Sequence, residues 1–269
     1  MSSVIGRLES DPGSLFAQVP IELHGHRKKL EFIWRCVDRY RKEHGMTAAQ
    51  VRVLEVGCSN GRNIATPLAQ CGYDVTGIDL HEESIAYAKL HTRLPNARFM
   101  CHDLAALGAH EKFEIVVLSD VLEHVEDPAS ICSMSMRYLV QGGRVQISIP
   151  NGYGPYELEQ RFLRVTHLHR VIDRVRAAVN RLLGRTVSGP EYNQDSGHIQ
   201  FFHLHDFHRL LDRVGLDVIE KSNGALFGGA LTYMFGKIPL VVVASLKLAD
   251  WLPQRWVSTW YFSCVARRQ

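Results

Sequence analysis

The sequence predicts an α/β protein in which a mainly parallel sheet carries helices on both faces. Three observations predict this. Short apolar runs alternate with helical stretches from about residue 51 to 151, the connections between them are short, and the first apolar run ends in a glycine-rich turn that leads into a helix.

Residues up to about Val19 are polar and aperiodic and read as an arm. From Ile21 to Glu43, Leu30, Ile33, Val37 and Tyr40 recur at helical spacing, and Gly45 stops the helix. VRVLEVG (51–57) is a buried strand, and a helix with Ile64 and Leu68 follows Gly61 and stops at Gly72. DVTGIDL (74–80) is a second strand, EESIAYAKLHTRL (82–94) a helix, ARFMCHDL (97–104) a third strand and FEIVVLSDV (113–121) a fourth. Asp127 and Pro128 form an N-cap and first-turn pair for a helix running to about Gly142, before a fifth strand, GRVQISIPN (143–151). Farther on, Asp206 opens a helix through Phe207, Leu210, Leu211 and Val214, and Gly215 ends it. Two β-rich runs complete the pattern, LDVIEKSN (216–223) and WYFSCVARR (260–268).

Composition narrows the class. The chain has 269 residues, 46% hydrophobic and 22% charged, which describes a globular protein and excludes a disordered one. A net charge of +3 is too small to argue for nucleic acid. The six cysteines form no C-x-x-C pair and read as buried apolar residues of a reducing compartment. MSSVIGRLESDPGS has no basic region followed by an apolar run, so no secretory signal is visible and the cytoplasm is the expected location.

The strongest local signal is VLEVGCSNG (53–61). It delivers Glu55 and Gly57 from a strand, and a helix begins after Gly61. Glycines let the backbone turn tightly and approach a ligand closely. Asp79 ends the next strand, where an acid can accept hydrogen bonds from both ribose hydroxyls of a nucleoside. The spacing is Gly57-x-x-x-Gly61, with Ser59 where a dinucleotide fingerprint has its middle glycine. Glu55 would repel a pyrophosphate but suits a cationic ligand end.

These segments resemble the class I S-adenosylmethionine (SAM)-dependent methyltransferases, most of all the branch with ubiquinone-biosynthesis O-methyltransferases and bacterial small-molecule enzymes. VLEVGCSNG is similar to the family's E-x-G-x-G-x-G, VTGIDL to its acidic strand end, FMCHDL to its third strand and IVVLSDVLEHVEDP (115–128) to its fourth-strand motif. Ser59 is the departure. The resemblance implies a Rossmann-like sheet of seven strands, the last antiparallel and inserted between its neighbours. It implies SAM as cofactor and S-adenosylhomocysteine (SAH) as product. Carried over, Glu55, Gly57, Cys58 and Gly61 line the methionine part of SAM, and Asp79 and Leu80 hold the ribose. Asp103 and Leu104 frame the adenine, and Ser119 lies under the sulfonium. His26 and Arg27, on the N-terminal helix, are placed either over the cofactor's carboxylate or on a solvated face.

Methyl transfer mainly requires alignment and exclusion of water, and an oxygen nucleophile also benefits from a base or a metal. The catalytic candidates are Asp120, Glu123 and His124, just past the fourth strand. His124 suits base work. A divalent metal is the other reading, since a hard cation favours two carboxylates. A third reading has Glu123 and His124 only packing the loop. His198, His203, His205 and His208 form a second group, read either as a metal site or as the strand entering the next helix, with His198 bordering the substrate.

Two insertions complete the division. Residues 1–45 are the arm and cofactor-covering helix, 46–151 the SAM-binding core, 152–197 a basic helical cap insertion, and 198–269 the rest of the core with an apolar insertion at 224–257. Between Arg161 and Arg185 stand seven arginines against Asp173, alongside an apolar stripe. The caps leave the sheet's carboxyl edge. They form either an ordinary cap core or a peripheral membrane contact that admits a lipid-like acceptor. A membrane span is not expected. The function this predicts is O-methylation of a small-molecule or lipid-like acceptor. The alternatives are a catalytically silent SAM-fold binding protein and N- or C-methylation. The N-P-P-Y-type motif of amino-directed DNA enzymes is absent after the fourth strand, where the chain reads SDVLEH, so nucleic acid is not the expected partner.

Overall fold

A computed structural model describes residues 24–167, 170, 174, 197–226 and 239–267. Its strands are β1 (Arg52–Val56), β2 (Asp74–Asp79), β3 (Ala97–Cys101), β4 (Phe113–Ser119), β5 (Leu139–Pro150), β6 (Leu216–Asn223) and β7 (Thr259–Ala266). Its helices are α1 (His24–Glu43), α2 (Ala65–Gln70), α3 (Glu82–His91), α4 (Pro128–Arg137), α5 (Pro155–Val165), α6 (Leu204–Val214) and α7 (Pro239–Trp251).

The seven strands form one sheet in the order β3-β2-β1-β4-β5-β7-β6. β1 to β5 pair in parallel, and β7 runs antiparallel between β5 and β6. The order reverses at β1, so the carboxyl ends of β1 and β4 flank the switch point where open α/β sheets bind ligands.

Alternation along the strands sends side chains to two cores. Leu54, Val116, Leu118 and Ile147 pack on one face with Cys132 of α4 and Phe207 and Leu211 of α6. Val53, Ile115 and Val117 pack on the other with Leu30, Ile33 and Val37 of α1 and Leu68 of α2. At about 25 cal/mol per Å² of apolar surface removed from water, these faces dominate the stability of the sheet.

Element ends differ from the sequence reading where tertiary pairing overrides local pattern. The helix after Asp127 stops at Arg137, five residues short of Gly142, because Leu139 already pairs with Phe113. The register then shifts between Phe113 and Ile115, and Gly142 sits there at φ +78. The third strand ends at Cys101, and Asp103 caps a short 3-10 turn, Leu104–Ala106, through Ala105 N–H at 3.0 Å. The fourth strand ends at Ser119, where Asp120 turns the chain at φ +55. Asp127 does cap α4, accepting from Ser130 N–H at 3.1 Å with Pro128 in the first turn. Five cysteines are buried and unbridged, and Cys101 is exposed.

Helix α5 covers the start of the basic stretch 161–185, and most of the stretch beyond His167 lies outside the described residues. The same holds for residues 1–23 and for 227–238 of the apolar insertion, whose later part forms α7. Among the described residues no helix is long and apolar enough to cross a membrane.

Candidate functional site

The turn after β1 is built by backbone bonds to β2. Gly57 N–H and Cys58 N–H both donate to Ile78 O, at 2.8 and 3.0 Å, and Gly61 N–H donates to Cys58 O at 2.9 Å. Gly57 and Gly61 each stand at φ +70. A Cβ on Gly57 would lie 2.7 Å from a Val121 methyl, and one on Gly61 would lie 2.5 Å from the Phe99 ring. Neither place admits a side chain. Ser59, where the resemblance wants glycine, takes φ +48 and so adopts the left-handed conformation that glycine would supply freely.

Two buried oxygens in this turn lack partners. Glu55 is buried, and its Oε2 makes no hydrogen bond, nor does the buried Ser59 hydroxyl. Burial pushes the Glu55 carboxyl up to about 8, against the opposing pull of the Ala65 backbone N–H at the start of α2 and of Lys29. Asp79 accepts Ser59 N–H at 2.7 Å on Oδ2 and His81 N–H at 2.8 Å on Oδ1, which locks the end of β2 to the turn. Leu80 beside it is 73% exposed, an apolar side chain standing open at the sheet edge. Asp103 is exposed, whereas Leu104 is buried and its carbonyl accepts the Tyr138 hydroxyl at 2.9 Å. Ser119 is buried at the end of β4.

Past β4, Asp120 is the centre of a network. Its Oδ2 is ion-paired with Lys29 Nζ of α1, and its Oδ1 accepts the Ser148 hydroxyl at 2.7 Å. Burial works to raise its carboxyl, but Lys29, Ser148 and His26 outweigh burial and hold it below the usual value. Asp120 is thus committed to Lys29 and Ser148. Glu123 is buried with Oε2 unpartnered, and burial, Asp120 and Glu157 push its carboxyl well above the usual range. Its backbone carbonyl accepts Ile199 N–H and Gln200 N–H, at 2.9 and 3.0 Å. That pair of bonds brings His198 against His124, ring edge to ring face, with centroids 4.9 Å apart. Burial and His198 lower the His124 imidazole, and its Nδ1 lies 3.3 Å from Gly197 O. His198 Nδ1 meets Glu157 Oε1 of α5 at 2.6 Å.

The other histidines of the second group go elsewhere. His203 stacks on Tyr153 at 3.6 Å, His205 faces Arg209, and His208 packs its edge on Phe262. Among the described residues, Glu123, His124 and His198 do have ligand atoms within 4.8 Å of one another. Of the two residues expected near the cofactor's carboxylate, Arg27 bonds Glu31 at 2.8 Å, and His26 lies within electrostatic reach of Asp120.

Sequence reasoning missed Lys29, Ser148 and Glu157. Lys29 carried a signal: it stands four residues before Ile33 and seven before Cys36, in line with the buried stripe of α1. A lysine in that line needs a buried partner. Glu157 was obscured by the arginines that come after it.

A methyltransferase domain family model matches residues 22–221. The chain is 36% identical over 118 residues to the ubiquinone biosynthesis O-methyltransferase of Psychrobacter arcticus, covering 42% of this chain and 46% of that one. It is 35% identical over 104 residues to the enzyme of the same name from Pseudomonas aeruginosa, covering 37% and 44%. The chain thus spans a little under half the length of these relatives. Among solved structures, it is similar to a SAM-dependent methyltransferase from Clostridium acetobutylicum, with TM-score 0.56, 14% identity and 94% of each chain covered. It is also similar to the magnesium protoporphyrin IX methyltransferase of Synechocystis with bound SAH, with TM-score 0.53, 18% identity, and 93% of this chain and 89% of that one covered. At these identities the structural likeness is one of fold. With its domain model covering most of the sequence, on a seven-stranded sheet with β7 reversed, the chain belongs to the class I SAM-dependent methyltransferases.

Proposed function

We propose that the protein transfers a methyl group from SAM to a hydroxyl oxygen of a small or lipid-like acceptor. The observation that carries this reading is the cradle at the switch point: Gly57 and Gly61 with no room for a side chain, beside the unpartnered Glu55 Oε2 and the Asp79 carboxylate. These residues fit SAM. Glu55, Gly57, Cys58 and Gly61 line its methionine part, Asp79 and Leu80 its ribose, and Asp103 and Leu104 its adenine, with Ser119 under the sulfur. Bound there, SAM supplies an electrophilic methyl carbon on a cationic sulfur.

The acceptor sits at the ends of β4 and β5, against Glu123, His124 and His198. His124, whose imidazole pKa burial and His198 lower, would take up the hydroxyl proton while the methyl carbon exchanges its bond to sulfur for one to oxygen. Asp120 acts through position, since the Lys29 ion pair and the Ser148 hydroxyl hold its carboxylate in place. The names of the ubiquinone-biosynthesis relatives support an oxygen acceptor. The apolar stripe of the first insertion supports an acceptor with a greasy tail.

The test is methyl transfer from radiolabelled SAM to a short-tailed prenylated catechol. Product formation that falls with His124→Ala, with SAM affinity unchanged, supports the reading. A folded protein that binds no SAM by calorimetry would end it.

A further inference from the structure

We propose that Glu157 is a positioning residue that fixes His198 so that its Nε2 accepts a hydrogen bond from the methyl acceptor. The inference rests on the acceptor site proposed above and deepens it.

Glu157 lies in the first turn of α5, the helix that opens the first insertion, yet its side chain is only 2% exposed. Carboxylates are almost never that buried without a partner. Its partner is His198 Nδ1, at 2.6 Å, from a segment forty-one residues away. A carboxylate only accepts, so the imidazole proton resides on Nδ1. In the neutral ring Nε2 then keeps its lone pair. An unrestrained histidine in water favours the opposite tautomer, so this orientation comes from the protein.

Three further observations support that lone pair facing the proposed acceptor. The Ile199 and Gln200 amides clamp the segment onto Glu123 O, just past the end of β4. The His124 ring supports the His198 ring edge-on. The His198 side chain stays 23% exposed, within reach of a ligand, while Glu157 behind it is sealed. A fixed acceptor atom at this edge selects a ligand that brings a donor, and it orients the donor's oxygen. The first insertion therefore reaches the reaction site through one buried carboxylate, in addition to any cap it forms.

The test uses the full chain, labelled with 15N-histidine and dialysed against chelator. Long-range proton–nitrogen spectra read the His198 tautomer in wild type, Glu157→Gln and Glu157→Ala. We expect the Nδ1–H form in wild type and its loss in Glu157→Ala. Glu157→Gln, whose amide oxygen can still accept from Nδ1, should retain much of it. On the prenylated catechol, Glu157→Ala should lower kcat/KM by about tenfold to a hundredfold, Glu157→Gln by less, and both should leave SAM affinity within about twofold, as expected of a residue acting on the acceptor alone. A wild-type His198 protonated on Nε2 overturns the inference. So does a Glu157→Ala protein that melts lower but keeps its kcat/KM, which would make Glu157 structural. A His198 Nε2 resonance shifted by magnesium, with turnover lost in chelator and restored by that metal, would make Nε2 a metal ligand and also overturn it. If wild type leaves the catechol unmethylated, the acceptor reading fails by itself, and the tautomer spectrum still decides the positioning.

Discussion

Lys29 of α1 is buried against Asp120 at the end of β4, and this ion pair joins the first described helix to the sheet edge that also carries Glu123 and His124. Asp120 holds a left-handed backbone there, and Ser148 of β5 bonds its other oxygen. The neighbouring Lys28 ties the same helix to the second insertion, donating to Leu246 O at 3.1 Å and to Asp250 at 2.6 Å. Two consecutive lysines thus anchor α1 to the sheet edge and to α7.

Replacing Lys29 by Met keeps the stem and removes the charge. The sign of the pH effect is set by Asp120, whose folded-state pKa lies below its unfolded value. Its contribution is present above the unfolded value, about 4, and is lost as pH falls through the folded one. Lys29→Met should therefore lower stability most at neutral pH, and the gap to wild type should narrow below about pH 4. Denaturant melts across pH check this. A gap that stays constant would show that the pair is not the source.

Glu55 gives the opposite dependence. Burial raises its carboxyl to about 8, so it is protonated at neutral pH before SAM arrives. Its contribution to stability is full below the unfolded value, about 4.3, and is lost as pH rises through 8. A cationic ligand favours the carboxylate, so SAM binding should release a proton, and affinity should rise with pH up to about 8. Calorimetry at pH 7 in buffers of different ionisation enthalpy reads the proton directly. Glu55→Gln should abolish the release, weaken SAM, and stabilise the SAM-free protein above pH 8. Binding enthalpies independent of buffer would remove Glu55 from the role.

Ser59→Gly should stabilise the SAM-free protein. Holding a non-glycine residue at φ +48 costs about 1 kcal/mol or more, and a buried hydroxyl without a partner costs about 1–3 kcal/mol. Glycine loses about 0.5–1 kcal/mol in added chain entropy, which is smaller. The expected result is a higher Tm with SAM affinity changed little. A lower Tm would mean that the hydroxyl is satisfied by water or by the turn itself.

The strand-turn-helix of residues 51–61 and the acid at Asp79 were legible because each depends on local rules: a buried run, glycines at positive φ, an acid at a strand end. The sheet order and the reversed β7 came with the resemblance, since alternation alone does not say which strand pairs with which. The end of α4 was misread because the pairing of Leu139 with Phe113 is a long-range fact. The acceptor edge was half legible. Asp120, Glu123, His124 and His198 could be named, but their division of labour could not. Asp120 is paired with Lys29 from ninety-one residues away, and His198 with Glu157 across forty-one. Such pairs leave no local spacing to read.

Asp79 offers the sharpest test of the cofactor site. Its two oxygens already accept one backbone N–H each, from Ser59 at 2.7 Å and His81 at 2.8 Å. Each oxygen of a carboxylate has a second lone pair, so the group can serve the turn and two ribose hydroxyls at once. Asparagine cannot. Its amide nitrogen would face one of those N–H groups donor to donor, and only one acceptor oxygen would remain. Losing bonds to a charged acceptor costs about 1.5–3 kcal/mol each, so Asp79→Asn should weaken SAH by about tenfold to a hundredfold or more. Part of the loss would come from the turn, which thermal melts of the SAH-free protein separate, because turn damage lowers Tm without ligand. The measurement is SAH titration calorimetry on wild type and variant at matched pH. A variant that melts lower but binds SAH within about threefold of wild type would leave Asp79 a turn residue and move the ribose elsewhere.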